Sequence, residues 1–168
     1  MIPVNAPRLD IEECRTEDEA EFINELHGQA AHHGWFGMGW NLHDRVVVTI
    51  DVADPVHNVV LRVLRADYWD QYLMLGEDET KQLATNLDPS QPGVIEHRGD
   101  AVELANIAAA WFLQEMARPI ERLAWNRISR QRNVWRLADS GRDLVYQDSL
   151  NDWSTDLGQP DRIVPVLT

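Results

Sequence analysis

Two hydrophobic periods alternate along this chain, and their order predicts its elements. Thr16-Glu17-Asp18-Glu19 fits a capping box, with Thr16 as N-cap and Glu19 three residues on. It predicts a helix from about Glu17 to His33. Ala20, Ile23, Ala30 and Ala31, with Phe22 and Leu26, supply its buried side. Glu17, Asp18 and Glu19 lie where the helix dipole favours negative charge. Gly34 suits the left-handed residue that ends a helix. Residues 1–15 read as an irregular lead-in, because Pro3 and Pro7 discourage helix. A glycine-rich aromatic loop, residues 34–40, follows the helix.

Period-two patterning then takes over. Val46, Val48, Ile50 and Val52 share one face of a strand predicted over Arg45 to Val52. Val59 to Leu64 and Tyr68 to Leu75 read as two further strands, and Val94 to His97 as a short fourth. Residues 80–93 suggest a helical turn and then a loop around Pro89 and Pro92. A second helix begins at Asp100, with Glu103 completing a D-x-x-E variant of the capping box. Leu104, Ala108, Trp111 and Phe112 recur at helical spacing, and Arg118-Pro119 ends the run. Ile120 to Arg127 and Asn133 to Ala138 predict a hairpin packed on this helix, with Leu123, Trp125, Trp135 and Leu137 as its apolar face. The tail from about 149 reads as loosely structured, with an edge strand at Arg162 to Leu167. The expected fold is a single α+β domain over residues 1–168. It has one antiparallel sheet of about five to six strands packed against two main helices.

Length and composition agree with one domain: 168 residues, 44% apolar and 26% charged. The charge balance changes the picture. With 28 acids against 15 bases the net charge is −13, which disfavours direct binding to nucleic acid or an anionic membrane. A basic protein partner is compatible with it. Cys14 is the only cysteine, so no internal disulfide forms. The N-terminus lacks a basic start and an apolar stretch of signal length. The expected location is the cytoplasm.

Catalytic motifs are missing. The six histidines include His27, His32, His33 and His43, but their spacing matches no metal-binding helix pattern. The glycines of residues 34–40 do not open a helix after a strand as a dinucleotide fold requires. Ser140 sits in Ala138-Asp139-Ser140-Gly141, a turn rather than a nucleophile elbow. Glu12 and Glu13 suppress the Cys14 thiolate, partly opposed by Arg15. No catalytic residue, metal ligand or cofactor is assigned on these grounds.

Seven tryptophans and an uneven charge remain. Trp111, Trp125 and Trp135 fall on predicted core faces. Trp35 and Trp40 flank glycines, and either anchor a partner or fold back on the sheet edge. Residues 118–142 hold seven arginines and two acids, a local charge of +5, so the remainder carries −18. The arginines either pair with acids inside the fold or contact nucleic acid. The acids either are solvated or dock on a basic protein.

Tyr72-Leu73-Met74-Leu75-Gly76, the Ala-rich helix, Arg118-Pro119 through Trp125, and Ala138-Asp139-Ser140-Gly141 follow one another in a familiar order. Residues 45–141 resemble small immunity proteins of bacterial polymorphic-toxin systems, and uncharacterised actinobacterial proteins with a similar helix–R-P–strand segment. The resemblance implies no catalytic residues. The leading expectation is a non-enzymatic immunity-type inhibitor of a basic toxin or nuclease. Glu17, Glu21, Glu77, Asp78 and Glu79 would supply its charge, and Trp35 and Trp40 its apolar anchors. Two alternatives stay open: a phage or mobile-element protein that blocks a host defence enzyme by mimicking nucleic-acid charge, and a small hydrolase or metal enzyme using the His27–His43 region.

Overall fold

The computed structural model describes residues 11–35, 38–41 and 44–167. Pro3, Pro7 and His43 lie outside the described residues, as do the side chains of Met38, Trp40 and Asn41. Helix α1 spans Glu17–His33 and α2 Ala101–Met116. Nine strands are described: β1 (Met38–Asn41), β2 (Val46–Asp54), β3 (Val59–Trp69), β4 (Tyr72–Glu77), β5 (Ile95–Arg98), β6 (Ile120–Arg127), β7 (Arg130–Leu137), β8 (Asp143–Asp148) and β9 (Arg162–Leu167). The fold is α+β with antiparallel sheets. The expected single sheet of five to six strands is corrected to two sheets, ordered β1-β2-β3-β4-β5 and β8-β7-β6-β9.

The chain divides into two compact units. The first takes the chain up to Val52 together with Arg62–Glu115, and the second takes Ala53–Leu61 and everything from Met116 onward.

In the first unit, Thr16 has extended backbone and its hydroxyl accepts the Glu19 N–H at 3.1 Å. Glu19 reaches back one residue further than in a standard box. Its carboxylate accepts the Arg15 N–H at 2.8 Å and the Arg15 guanidinium at 2.6 Å. Gly34 closes α1 with φ 72°, a conformation that costs a β-carbon residue free energy. Phe22, Ile23 and Leu26 of α1 are buried, as are Leu104, Ala105, Ala108 and Phe112 of α2. The Phe22 and Tyr68 rings stack at 4.3 Å and 8°. Arg62 donates to the Glu115 carbonyl and carboxylate. Arg62 and Tyr68 are an even number of residues apart on β3, so both helices cover the same face of that strand. Loop residues 78–94 serve the other face. Arg65 donates to the Thr85 carbonyl at 2.7 Å, and a β-carbon on Gly76 would meet Leu87 and Val94 at 3.1 Å.

Strand β3 corrects the sequence reading. It continues through Arg65, Ala66 and Asp67 to Trp69, where the pattern predicted a break after Leu64. The hairpin turn is Asp70-Gln71, both in the left-handed region (φ 45° and 60°). The expected helical turn in 80–93 is absent. Those residues form bends and turns in which Asp78 accepts the N–H groups of Thr80 and Leu83.

The second unit is built on the β6–β7 hairpin, whose turn is Ile128-Ser129. Register pairs Leu123 with Val134 and Arg122 with Trp135. Directly paired residues share a face, so Leu123 and Trp125 lie opposite to Trp135 and Leu137. The expected common apolar face is therefore corrected. Trp135 is fully buried, and its Nε1–H donates to Asp54 at 2.8 Å. Strand β8, absent from the sequence reading, pairs with β7, with a bulge at Trp135/Arg136. The predicted edge strand β9 pairs with β6.

Candidate functional site

The sequence singled out seven residues for partner binding, and they do not form one exposed patch. Glu17 and Glu21 are exposed on the outer side of α1, with Asp18 between them. Glu79 is exposed at the start of the loop after β4. Glu77 is half-buried and its carboxylate accepts the Arg62 Nε–H at 3.1 Å. Asp78 is buried at 3% exposure, its oxygens taken by Thr80 and Leu83 of its own turn. Burial alone would raise its pKa, but those hydrogen bonds hold it below the ordinary value. It shapes the loop and offers no charge to a partner. Trp35 is 8% exposed, its ring tilted against Phe112 at 5.6 Å. It has folded back into the first unit and is not an exposed anchor. The Trp40 side chain lies outside the described residues.

Five of the seven arginines of the basic segment pair with acids in the fold. Arg118 pairs with Asp139 at 2.8 Å, Arg136 with Glu121 at 2.6 Å, and Arg127 with Asp161. Arg130 and Arg132 converge on Asp148 at 2.9 and 2.8 Å through their Nε–H groups. All of these partners belong to the second unit. The segments of that unit contain eight arginines and eight acids, whereas those of the first contain twenty acids and seven bases. The whole net charge of −13 thus resides in the first unit.

One cluster escaped the sequence reading. Asp54, 2% exposed, accepts from the backbone N–H groups of Val56 and His57 and from Trp135, and lies 2.8 Å from His57 Nδ1. Burial would raise its pKa; the four hydrogen bonds hold it below the ordinary value. The cluster locks the β2–β3 turn, which reads in sequence only as a turn signal at Asp54-Pro55. Its signal was the i, i+3 spacing of Asp54 and His57. Among the described residues no group of three or more His, Cys, Asp or Glu could hold a metal ion. No described helix is long and apolar enough to cross a membrane.

The fold thus places the protein in the α+β class. No protein-family model, curated protein or solved structure matches the chain.

Proposed function

We propose that this chain is a non-enzymatic, acidic protein-binding domain, an immunity-type inhibitor that occludes a basic toxin or nuclease through its first unit. The charge partition carries the reading: the first unit holds the entire net charge of −13, and the second is neutral. Exposed Glu17, Asp18, Glu21 and Glu79 belong to that first unit. A concentrated negative field attracts the surface with which a nuclease holds phosphate, and it speeds encounter. The apolar part of the interface is left to residues other than Trp35.

The test is capture of a partner from host lysate by wild type and by the charge-reversed variant E17K/D18K/E21K/E79K. We expect wild type to retain one stoichiometric basic protein through a wash at about 0.5 M salt, which screens loose attraction. The variant should bind that same purified protein with an association rate about tenfold slower at low salt. Equal rates for the two, or no basic protein retained by wild type, would overturn the reading.

A further inference from the structure

Residues 149–161 connect β8 to β9 without helix or strand. Backbone bonds tie the two ends of this segment, Ser149 N–H to Gln131 and Asp161 N–H to Ala124, and between them side chains of the β6–β7 hairpin donate chiefly to its backbone carbonyls. Arg132 donates to the carbonyls of Thr155 at 3.0 Å and Asp152 at 2.7 Å. Arg130 donates to the Asp152 carbonyl and, at 3.4 Å, to its carboxylate. Arg127 donates to Leu157 at 3.1 Å, to Gln159 at 3.4 Å and to the Asp161 carboxylate. Trp125 Nε1–H donates to Gly158 at 2.9 Å. Register pairs Trp125 with Arg132 and Arg127 with Arg130, so all four donors project from one face of the hairpin. Asp148 takes the Nε–H groups of Arg130 and Arg132 and also lies 2.8 Å from Arg130 Nη2, while Nη groups of both arginines reach the segment.

Little apolar burial holds the segment down. Leu150 is 59% exposed and Trp153 44%. The Trp153 ring meets Tyr146 edge-on at 5.3 Å, with the Arg132 guanidinium over it at 5.2 Å. The Trp153 ring, edge-on to the tyrosine and under the arginine, occupies a place that a base could take, and the Asp152 and Asp161 carboxylates each accept one arginine N–H as a phosphate oxygen would. The segment contributes three acids and no base, so the rest of the second unit carries +3 once it is lifted.

We propose that residues 149–161 are a displaceable strap, an internal pseudo-ligand covering a binding face for single-stranded nucleic acid built from Trp125, Arg127, Arg130, Arg132 and Tyr146. Phosphates replace the carbonyls and carboxylates on the arginine forks, and bases replace the Trp153 ring. With the strap down the face is neutralised, in keeping with the chain's acidity. A strand of nucleic acid carries denser charge than the strap, which lets it compete with a tethered segment.

The test is fluorescence anisotropy at low salt with a labelled oligothymidine of about fifteen nucleotides, roughly the largest single-fold site. The unlocked variant D152N/W153A/D161N should bind about tenfold more tightly than wild type, with a steeper salt dependence. Adding R127Q and R132Q should return affinity to the wild-type level. Circular dichroism checks that each variant is folded. If the unlocked variant is not folded, hydrogen exchange on wild type decides: saturating oligothymidine should accelerate amides within 149–161. A folded unlocked variant that binds no better than wild type would overturn the proposal, as would unchanged strap exchange. Tighter binding of polyglutamate than of oligothymidine would also overturn it, by assigning the face to an acidic peptide.

Discussion

The two units both bury arginine on carboxylates, Arg65 on Asp67 in the first and Arg130 and Arg132 on Asp148 in the second, but they differ in how far arginine offsets their acids. In the first, Arg62 and Arg65 lie within β3 at 2% and 1% exposure, on opposite faces of one strand. Each is tied to carboxylates: Arg62 to Glu77 and Glu115, Arg65 to both oxygens of Asp67. In the second, several pairs sit toward solvent, such as Arg118–Asp139 with side chains 28% and 39% exposed. The first unit therefore buries Arg62 and Arg65, keeps Arg15 and Arg98 exposed, and carries acids in excess. The second matches every arginine with an acid in number and ends neutral. A net charge averaged over the chain hides this division. Energetics differ as well: removing one partner of a buried pair strands a charge, whereas water replaces an exposed partner.

Substitution at Asp67 should have the largest effect. Its side chain is fully buried and takes Arg65 at 2.6 and 2.8 Å and Arg45 at 3.2 Å. D67A leaves Arg65 without its carboxylate in the interior, and should destabilise by about 3–5 kcal/mol in urea unfolding. E121Q in the second unit breaks the part-exposed pair with Arg136 and should cost about 1 kcal/mol or less. Similar losses for the two would end the distinction between buried and surface arginine.

Acid should separate the units next. Arg130, and then Arg132, hold the Asp148 carboxylate far below the ordinary range, and Arg118 holds Asp139 at about 2. A depressed folded-state pKa gives stability that is complete above the unfolded value, near 4, and lost as pH falls through the folded value. The second unit therefore loses its pairs on acidification. Between about pH 4 and pH 2, amide exchange should accelerate in β6–β8 before it does in α1. D148N should reproduce part of that acceleration at neutral pH. Simultaneous loss of protection in both units would contradict the assignment.

Local signals were legible and long-range ones were not. The sequence located α1 from Thr16 to Gly34, the N-cap of α2, and strands β6 and β9, because caps, proline and alternation are read within a few residues. It broke β3 early because Arg65 and Asp67 interrupt an apolar run; burial with mutual pairing makes them core residues. It missed the Asp70-Gln71 turn because both residues adopt φ > 0 without the Asn-Gly or Asp-Gly signal. Strand β8, polar at Asp143, Gln147 and Asp148, shows no hydrophobic alternation. At the candidate site the charge bias is visible in the sequence, but Asp78 reads there as a surface acid and Trp35 stays open between an exposed anchor and a ring folded back. Burial of Asp78 depends on a turn that closes on its own carboxylate, and burial of Trp35 on α2, more than sixty residues away.

The smallest effect tests whether the units respond independently. Thr16 contributes one hydrogen bond to the start of α1, and T16A leaves the Glu19 N–H without it. The expected cost is about 1 kcal/mol, and T16S should restore most of it. The Glu19 carboxylate, 4% exposed and held by Arg15, still anchors the same turn, so the helix frays without dissolving. Hydrogen exchange should therefore accelerate for amides of α1, while β6–β9 keep wild-type protection. If protection in the second unit fell by the same factor, the two units would unfold as one cooperative body. The division seen in their charge would then not extend to their stability.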